Sequence, residues 1–121
     1  MGDVIYSKEH GNSMNGLWTA EFGSSTGTFG SGVAVFQDGK VLGGDSTYYY
    51  VGEYEFKGNE FRATLKSSPF IQGAVSLFTT VGRDLMLEIN GELTDQDRAI
   101  AQGHVRGMEN IKFGLKLTRR H

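Results

Sequence analysis

The longest regular pattern of apolar and polar positions runs through residues 48–56, YYYVGEYEF. Four of its five even positions carry aromatic side chains, whereas the odd positions become acidic toward the end. Side chains alternate between the two faces of a β-strand, so this period of two predicts a strand with one aromatic and one charged face. We interpret Tyr48, Tyr50 and Tyr54 as an inward-facing wall and Tyr49 as an outward-facing side chain.

Tight turns separate the segments with this pattern. Asp38-Gly39 and Gly58-Asn59 have the residue types that two-residue hairpins need. The second turn aligns Phe56 with Phe61 and thereby matches apolar side chains on one face of the hairpin. Further turn signals at 82–83 and 107–110 join the predicted strands 74–81, 85–93, 98–106 and 111–118.

The number and spacing of these strands predict the fold class. With a first strand at 15–22, eight or nine short antiparallel strands fill the chain. Residues 94–102 are predicted as a loop followed by a strand, with a short helix as the alternative. Closure removes the exposed edges of a sheet, so we expect an all-β, eight-stranded antiparallel barrel with little helix. Alternation places these side chains inside it: Trp18, Tyr54, Phe56, Phe61, Leu65, Leu87, Ile89, Phe113, Leu115 and Leu117.

Composition and charge limit the function classes. The 121 residues correspond to one domain, predicted as an N-terminal extension at 1–13 and a single barrel domain at 14–121. The chain has no cysteine, no apolar run of membrane-spanning length and no signal-peptide pattern. We therefore expect a cytoplasmic protein that does not contact a membrane. Its 12 Lys and Arg against 14 Asp and Glu give a formal net charge of −2, which argues against direct nucleic-acid binding.

Residues that would carry catalysis or bind a metal are scarce. The three histidines, His10, His104 and His121, have no metal-ligand spacing. The chain has no Gly-x-Ser-x-Gly nucleophile motif. The glycine-rich segment 23–32 lacks the Gly-Lys-Ser/Thr ending of a phosphate-binding loop. We expect a protein that is not an enzyme and that uses neither a metal nor a cofactor.

Some polar side chains share the predicted core face. In the hairpin register above, Gln102 and His104 lie opposite Leu115 and Phe113, and Ser76 falls among core positions. Buried polar groups need hydrogen-bond partners, so two interpretations stay open. One is a network that satisfies itself, with or without a bound water, and the other is a cavity for a small, mostly apolar ligand. The residues that would form such a ligand site are Trp18, Tyr50, Tyr54, Ser76, Gln102, His104 and Phe113.

Two predicted hairpins have apolar side chains on both faces. A barrel strand that faces water should be apolar on one face and polar on the other, so the surplus side chains predict an exposed apolar patch. We expect a homodimer through this patch, with Tyr49 at its rim. The alternative is that residues 1–13 fold back over it. The predicted interface residues are Val33, Val35, Leu42, Tyr49, Val75, Leu77 and Met86.

The first strand opens with the motif Gly16-Leu17-Trp18. This Gly-x-Trp opening resembles that of calycin barrels, such as lipocalins and avidins. The resemblance implies that Trp18 packs across one end of the barrel against a late arginine, for which Arg119 and Arg120 are the candidates. An avidin-like biotin site is not expected, because such sites use several tryptophans and this chain has one.

Two longer stretches resemble the family of GrlR, the negative regulator of type III secretion gene expression. They are GKVLGGDSTYYYVGEY at 39–54, with its Gly-Gly-Asp and Gly-x-Tyr, and HVRGMENIKF at 104–113, with its His-x-Arg-Gly hairpin. With the opening MNGLW, the resemblance covers most of residues 14–118. It implies a small lipocalin-like barrel that dimerises and restrains a transcriptional activator by protein–protein contact. The acidic surface run of that family has no counterpart after Gly43-Gly44-Asp45.

Two function classes follow from these observations. The first is a non-enzymatic regulatory barrel that binds a protein partner, such as a transcriptional activator. The second is a calycin-like carrier or sensor of a small apolar ligand held in the barrel. A filled barrel favours the first class, and a large enclosed apolar cavity favours the second.

Overall fold

The computed structural model describes residues 13–25, 27, 29–73 and 83–121. They form one closed barrel of eight antiparallel strands in chain order, in which the last strand pairs with the first. No helix occurs among these residues, and the predicted all-β, eight-stranded antiparallel barrel is confirmed. The strands are β1 (Gly16–Ser24), β2 (Phe29–Gln37), β3 (Lys40–Gly44), β4 (Tyr48–Lys57), β5 (Glu60–Pro69), β6 (Leu85–Asp95), β7 (Arg98–Val105) and β8 (Met108–Arg119).

The turn between β2 and β3 shows why the local sequence forms a hairpin. Asp38 and Gly39 have φ angles of 49° and 87°. Two successive residues in the left-handed region match the twist of the flanking strands, and glycine and aspartate tolerate that region best. The predicted register, with Phe36 opposite Val41, is confirmed. The predicted hairpin at Gly58-Asn59 is also confirmed, with its cross-strand pairs as expected.

The interior of the barrel is a packed apolar core. All ten side chains predicted to lie inside belong to it: seven are buried, and the other three are half-buried and pack against the buried ones. Phe36 lies at the centre of an aromatic cluster, with ring centroids 5.0 Å from Tyr54, 6.0 Å from Phe61 and 6.2 Å from Trp18. All three contacts are edge-to-face, which is the arrangement that the charge distribution of aromatic rings favours.

The predicted hairpin between residues 74–81 and 85–93 is wrong. β6 pairs with β5 from Leu85 to Glu92 and with β7 from Leu87 to Asp95, so both of its edges are occupied. Segment 74–81 itself lies outside the described residues. The alternation pattern located β6 correctly, but a turn signal does not determine which strand becomes its neighbour.

The hairpin between β7 and β8 also differs from its prediction. The turn lies at Arg106-Gly107, and β8 already begins at Met108. The register shifts directly after His104, so Phe113 pairs with Gly103 and not with His104. A shift of the pairing by one residue moves every side chain of a strand to the opposite face of the sheet. A β-bulge causes such a shift locally, because one extra residue interrupts otherwise regular strand pairing.

The connections divide the barrel into two ends. The terminal end carries the start of β1, the end of β8 and the turns at 38–39, 58–59 and 96–97. The opposite end, which we call the loop end, carries the connections at 45–47 and 106–107. The turn at 96–97 followed by β7 confirms the predicted loop and strand at 94–102. Residues 1–12 lie outside the described residues, so the N-terminal extension stays a prediction. The described residues contain no helix that is long and apolar enough to cross a bilayer.

Candidate binding sites inside and outside the barrel

Trp18 and Arg119 seal the terminal end of the barrel. Trp18 is fully buried, and its indole N–H donates to the carbonyl oxygen of Met14 at 2.8 Å. The guanidinium of Arg119 lies over the indole, 4.6 Å from the ring centroid. The same guanidinium donates to the backbone carbonyls of Asn15 and Gln96 at 2.6 and 2.5 Å. A cation over an aromatic face is attracted by the electron-rich ring, and this is the contact that the Gly-x-Trp resemblance implied.

Asn15 connects this seal to the turn between β2 and β3 and to β4. Its side-chain oxygen accepts the backbone N–H of Asp38 and the hydroxyl of Tyr54, both at 3.0 Å. Burial is the largest effect on Tyr54 and raises the pKa of its hydroxyl, which keeps the proton available for donation. Tyr54, predicted as a ligand residue, is therefore part of the seal.

A cavity of about 100 Å³ remains inside the barrel. Its walls are mostly apolar, and two predicted ligand residues, Tyr50 and Phe113, line it. Trp18 and Tyr54 lie in the seal instead, and Ser76 lies outside the described residues. Pockets for drug-sized ligands typically measure about 300–1,000 Å³, so the barrel is largely filled by its own side chains.

Asp45 forms a polar cluster in the wall of this cavity. It follows β3, and one carboxylate oxygen accepts the backbone N–H groups of Thr47 and Tyr48 at 3.0 and 2.8 Å. An aspartate stabilises a turn in this way, because its carboxylate accepts backbone N–H groups of the residues that follow it. The other oxygen accepts the hydroxyl of Tyr50. Ser67, which is buried and pairs with Tyr50 across β4 and β5, also lines the cavity.

The protonation of the two tyrosines follows from this geometry. Burial raises the pKa of Tyr50 well above its ordinary value, and the hydrogen bond to Asp45 and the charge of that carboxylate add to the effect. Burial followed by the charge of Asp45 also raises the pKa of Tyr48. Both hydroxyls are therefore neutral donors at physiological pH, and neither supplies a phenolate for catalysis.

Gln102 and His104 do not lie in the barrel interior, so this part of the predicted ligand site is wrong. They pair with Asn90 and Glu88 in β6, and this row of side chains lies on the outer face of the barrel. Gln102 is exposed and His104 is half-buried, whereas Gly103 between them pairs with core residues. The reason is the register shift after His104, which exchanges the two faces of β7 relative to the predicted pairing.

The outer surface of β1–β4 carries an apolar row that crosses four strands. The row consists of Leu17, Val35, Leu42 and Val51, each paired with the next. Val33 and Tyr49 lie in the adjacent row, on either side of Gly44. We call these six side chains the apolar face. Their exposed fractions lie between 38% and 56%, so each presents apolar surface to water.

Charged pairs border the apolar face. Lys40 Nζ lies 3.4 Å from Glu53 Oε2 on one side, and Lys66 Nζ lies 3.4 Å from Asp84 Oδ2 on another. Met86, predicted as an interface residue, is half-buried and pairs with Lys66, which separates it from the apolar face. An apolar centre with a charged rim is the arrangement found in protein–protein interfaces.

The other predicted interface residues have mixed outcomes. Four of them, Val33, Val35, Leu42 and Tyr49, belong to the apolar face, and their role in a dimer stays a prediction. Val75 and Leu77 lie outside the described residues. Sequence reasoning missed Leu17 and Val51, which only the order and register of β1–β4 connect to the other four.

Sequence reasoning also missed Asp45 and Ser67 as residues of the cavity wall. For Asp45 a signal exists, because an aspartate that follows Gly-Gly and precedes a strand is typical of a turn closed by its carboxylate. For Ser67 the pairing of β5 with β4 supplies the missing information. No group of three or more metal-binding side chains occurs in the part of the chain that the structure describes.

Comparison with known proteins does not assign this chain to a family. A scan of the chain against protein-family models gave no match, and a search of curated proteins also gave none. The resemblance to the GrlR family accordingly rests on the motifs at 39–54 and 104–113 and on the opening MNGLW.

Proposed function

We propose that this protein is a non-enzymatic regulator that acts by protein–protein binding through its apolar face, and that it forms a homodimer. The apolar row across β1–β4 carries the proposal. Soluble monomers rarely expose large contiguous apolar patches, and such patches mark interaction sites. The eight described strands form a closed barrel and therefore offer no strand edge to a partner. Binding therefore uses the side chains of the outer surface.

The charges at the rim support a second copy of the chain as the occupant of this surface. The rim carries both signs of charge, with Lys40 and Glu53 exposed on one side, so two copies related by a two-fold axis can place opposite charges together. Tyr49 lies in the row beside Leu42 and Val51 and is 47% exposed. Tyrosine is among the residues enriched in protein–protein interfaces, so Tyr49 is suited to contact a second copy.

The regulatory part of the proposal concerns a different protein partner. The resemblance to the GrlR family supports a transcriptional activator as that partner, bound in the cytoplasm. The formal net charge of −2 supports a protein partner over direct binding to nucleic acid. A carrier of a drug-sized apolar ligand is the less supported alternative, because the interior cavity measures only about 100 Å³.

Sedimentation equilibrium at micromolar concentration tests the homodimer. The full chain and a chain without residues 1–12 are compared, since the N-terminal segment is the rival cover for the apolar face. We expect each to have twice its own monomer mass, which is 13.3 kDa for the full chain. A full chain that sediments as a monomer contradicts the proposal, and a dimer formed only after truncation shows that the N-terminal segment covers the face.

A further inference from the structure

The cavity inside the barrel has two chemically different parts. Most of its wall consists of core side chains such as Phe61, Leu87 and Phe113, and one region contains Asp45, Tyr50 and Ser67. A water molecule needs two to four polar partners, so the apolar part is unsuited to hold ordered water. A pocket that is mostly apolar, with a few converging polar groups, is the usual form of a small-molecule site.

Among the described residues, the polar groups of this region have acceptor capacity to spare. A carboxylate has about four lone-pair sites, and described residues occupy three of those on Asp45: two by the backbone N–H groups of Thr47 and Tyr48, and one by the hydroxyl of Tyr50. The Tyr50 oxygen has donated its proton and can still accept. The cluster is therefore matched to a molecule that brings a hydrogen-bond donor.

We propose that this cavity binds one small, neutral, apolar molecule that carries a single hydroxyl or N–H donor, and that Asp45 Oδ2 and the Tyr50 hydroxyl oxygen accept this donor. The apolar body of the molecule packs among Phe61, Leu87 and Phe113. The site extends beyond the proposed protein–protein function, because it lies inside the barrel and the apolar face lies outside.

The volume limits the ligand class. A dry apolar cavity of about 150 Å³ accommodates benzene, and the cavity here has about two-thirds of that volume. The fitting molecules are therefore single small rings or chains of about four or five non-hydrogen atoms. Pyrrole and furan form a matched pair of probes for this class, since both are five-membered aromatic rings and only pyrrole has an N–H donor.

NMR titration of the full chain with pyrrole and with furan tests the site. We expect saturable shifts of the methyl resonances of Leu65, Leu87 and Ile89, which line the cavity. We also expect the dissociation constant to be roughly tenfold lower for pyrrole than for furan. Equal affinities for the two rings overturn the role of Asp45 and Tyr50. Absence of a saturable shift up to the solubility of pyrrole overturns the site itself. These comparisons use the unaltered chain, so they do not depend on how any variant folds.

Four substitutions sharpen the test. Asp45→Asn keeps an acceptor for the turn but replaces the other oxygen with an N–H donor, and we expect it to remove the preference for pyrrole. Ala63→Met places a longer side chain in the cavity wall and should abolish binding of both rings, whereas Thr64→Met, on the exposed face of the same strand, should leave it unchanged. Binding that survives Ala63→Met places the probe elsewhere and overturns the proposal. Leu42→Lys, on the apolar face, should leave pyrrole binding intact, which separates this site from the proposed dimer.

Discussion

Arg119 and Trp18 are cross-strand partners at the seam where β8 meets β1, and the guanidinium of one lies 4.6 Å from the ring centroid of the other. The contact joins the last strand of the barrel to the first. The additional bonds from Arg119 to the carbonyl oxygens of Asn15 and Gln96 extend it across the terminal end. Arg119 therefore stabilises barrel closure through several neighbours at once.

Arg119→Met should strongly destabilise the barrel. The substitution keeps much of the apolar stem but removes a cation–π contact of about 1–2 kcal/mol and hydrogen bonds of a charged donor that are worth about 1.5–3 kcal/mol each. Because these contributions are not additive, we expect a loss of about 2–4 kcal/mol in the free energy of unfolding, measured by urea denaturation. Arg120→Met is the control, since Arg120 donates to Thr19 in an exposed setting, and it should cost less than about 1 kcal/mol. Equal losses for the two variants would contradict the role of the seal.

Gly52→Ala should be poorly tolerated. Gly52 lies in β4 with its Cα paired to the buried Val41 and Leu65. A Cβ atom at this position would lie 2.1 Å from the Thr64 carbonyl oxygen and 2.7 Å from Leu65 Cδ2. Relief requires the backbone of β5 to move, so we expect a loss of more than about 2 kcal/mol in urea denaturation.

Gly114→Ala is the matched control for Gly52→Ala. Its Cβ would meet only the Ala101 carbonyl oxygen at 3.9 Å, which is an ordinary van der Waals distance. We expect a change of about 0.5 kcal/mol or less. If both substitutions have similar effects, the close approach of β4 and β5 at Gly52 is not what limits this position.

Tyr50 should make the stability of the barrel depend on pH in the alkaline range. Burial and Asp45 raise the pKa of Tyr50 in the folded chain above its ordinary value of 10.0. The stability that this shift contributes is complete below pH 10 and declines above it, because the unfolded chain then loses the proton while the folded chain keeps it. The slope for one such group approaches about 1.4 kcal/mol per pH unit. Between pH 9 and 11 the free energy of unfolding of Tyr50→Phe should therefore fall less steeply than that of the unaltered chain, and parallel profiles would contradict this assignment.

Features set by local sequence could be predicted well. The turns at Asp38-Gly39 and Gly58-Asn59 depend on the backbone preferences of two residues, and the flanking alternation then fixes both register and core face. The stacking of a late arginine on Trp18 came from the Gly-x-Trp resemblance and is confirmed with Arg119.

Features that depend on several strands could not be predicted. The shift after His104 has no signature in its own residues, and it moves Gln102 and His104 from the predicted interior to the outer face. The volume of the cavity is the small remainder after the side chains of all strands have packed. Leu17 and Val51 join Val35 and Leu42 only because β1–β4 are neighbours in that order.

Sedimentation velocity over a concentration series tests whether the apolar face binds a second copy of the chain. The comparison uses Leu42→Lys, at the centre of the face, and Ile100→Lys. Ile100 on β7 is a matched control, because it is similarly exposed, at 49% against 56%, but pairs with the charged Glu92 and Lys116.

We expect Leu42→Lys to raise the dimer dissociation constant at least tenfold, which corresponds to about 1.4 kcal/mol, because a lysine charge would be buried without a partner in each copy. Ile100→Lys should leave the dissociation constant within about threefold. A monomeric unaltered chain, or equal effects of the two substitutions, would contradict the claim that this face is the interface.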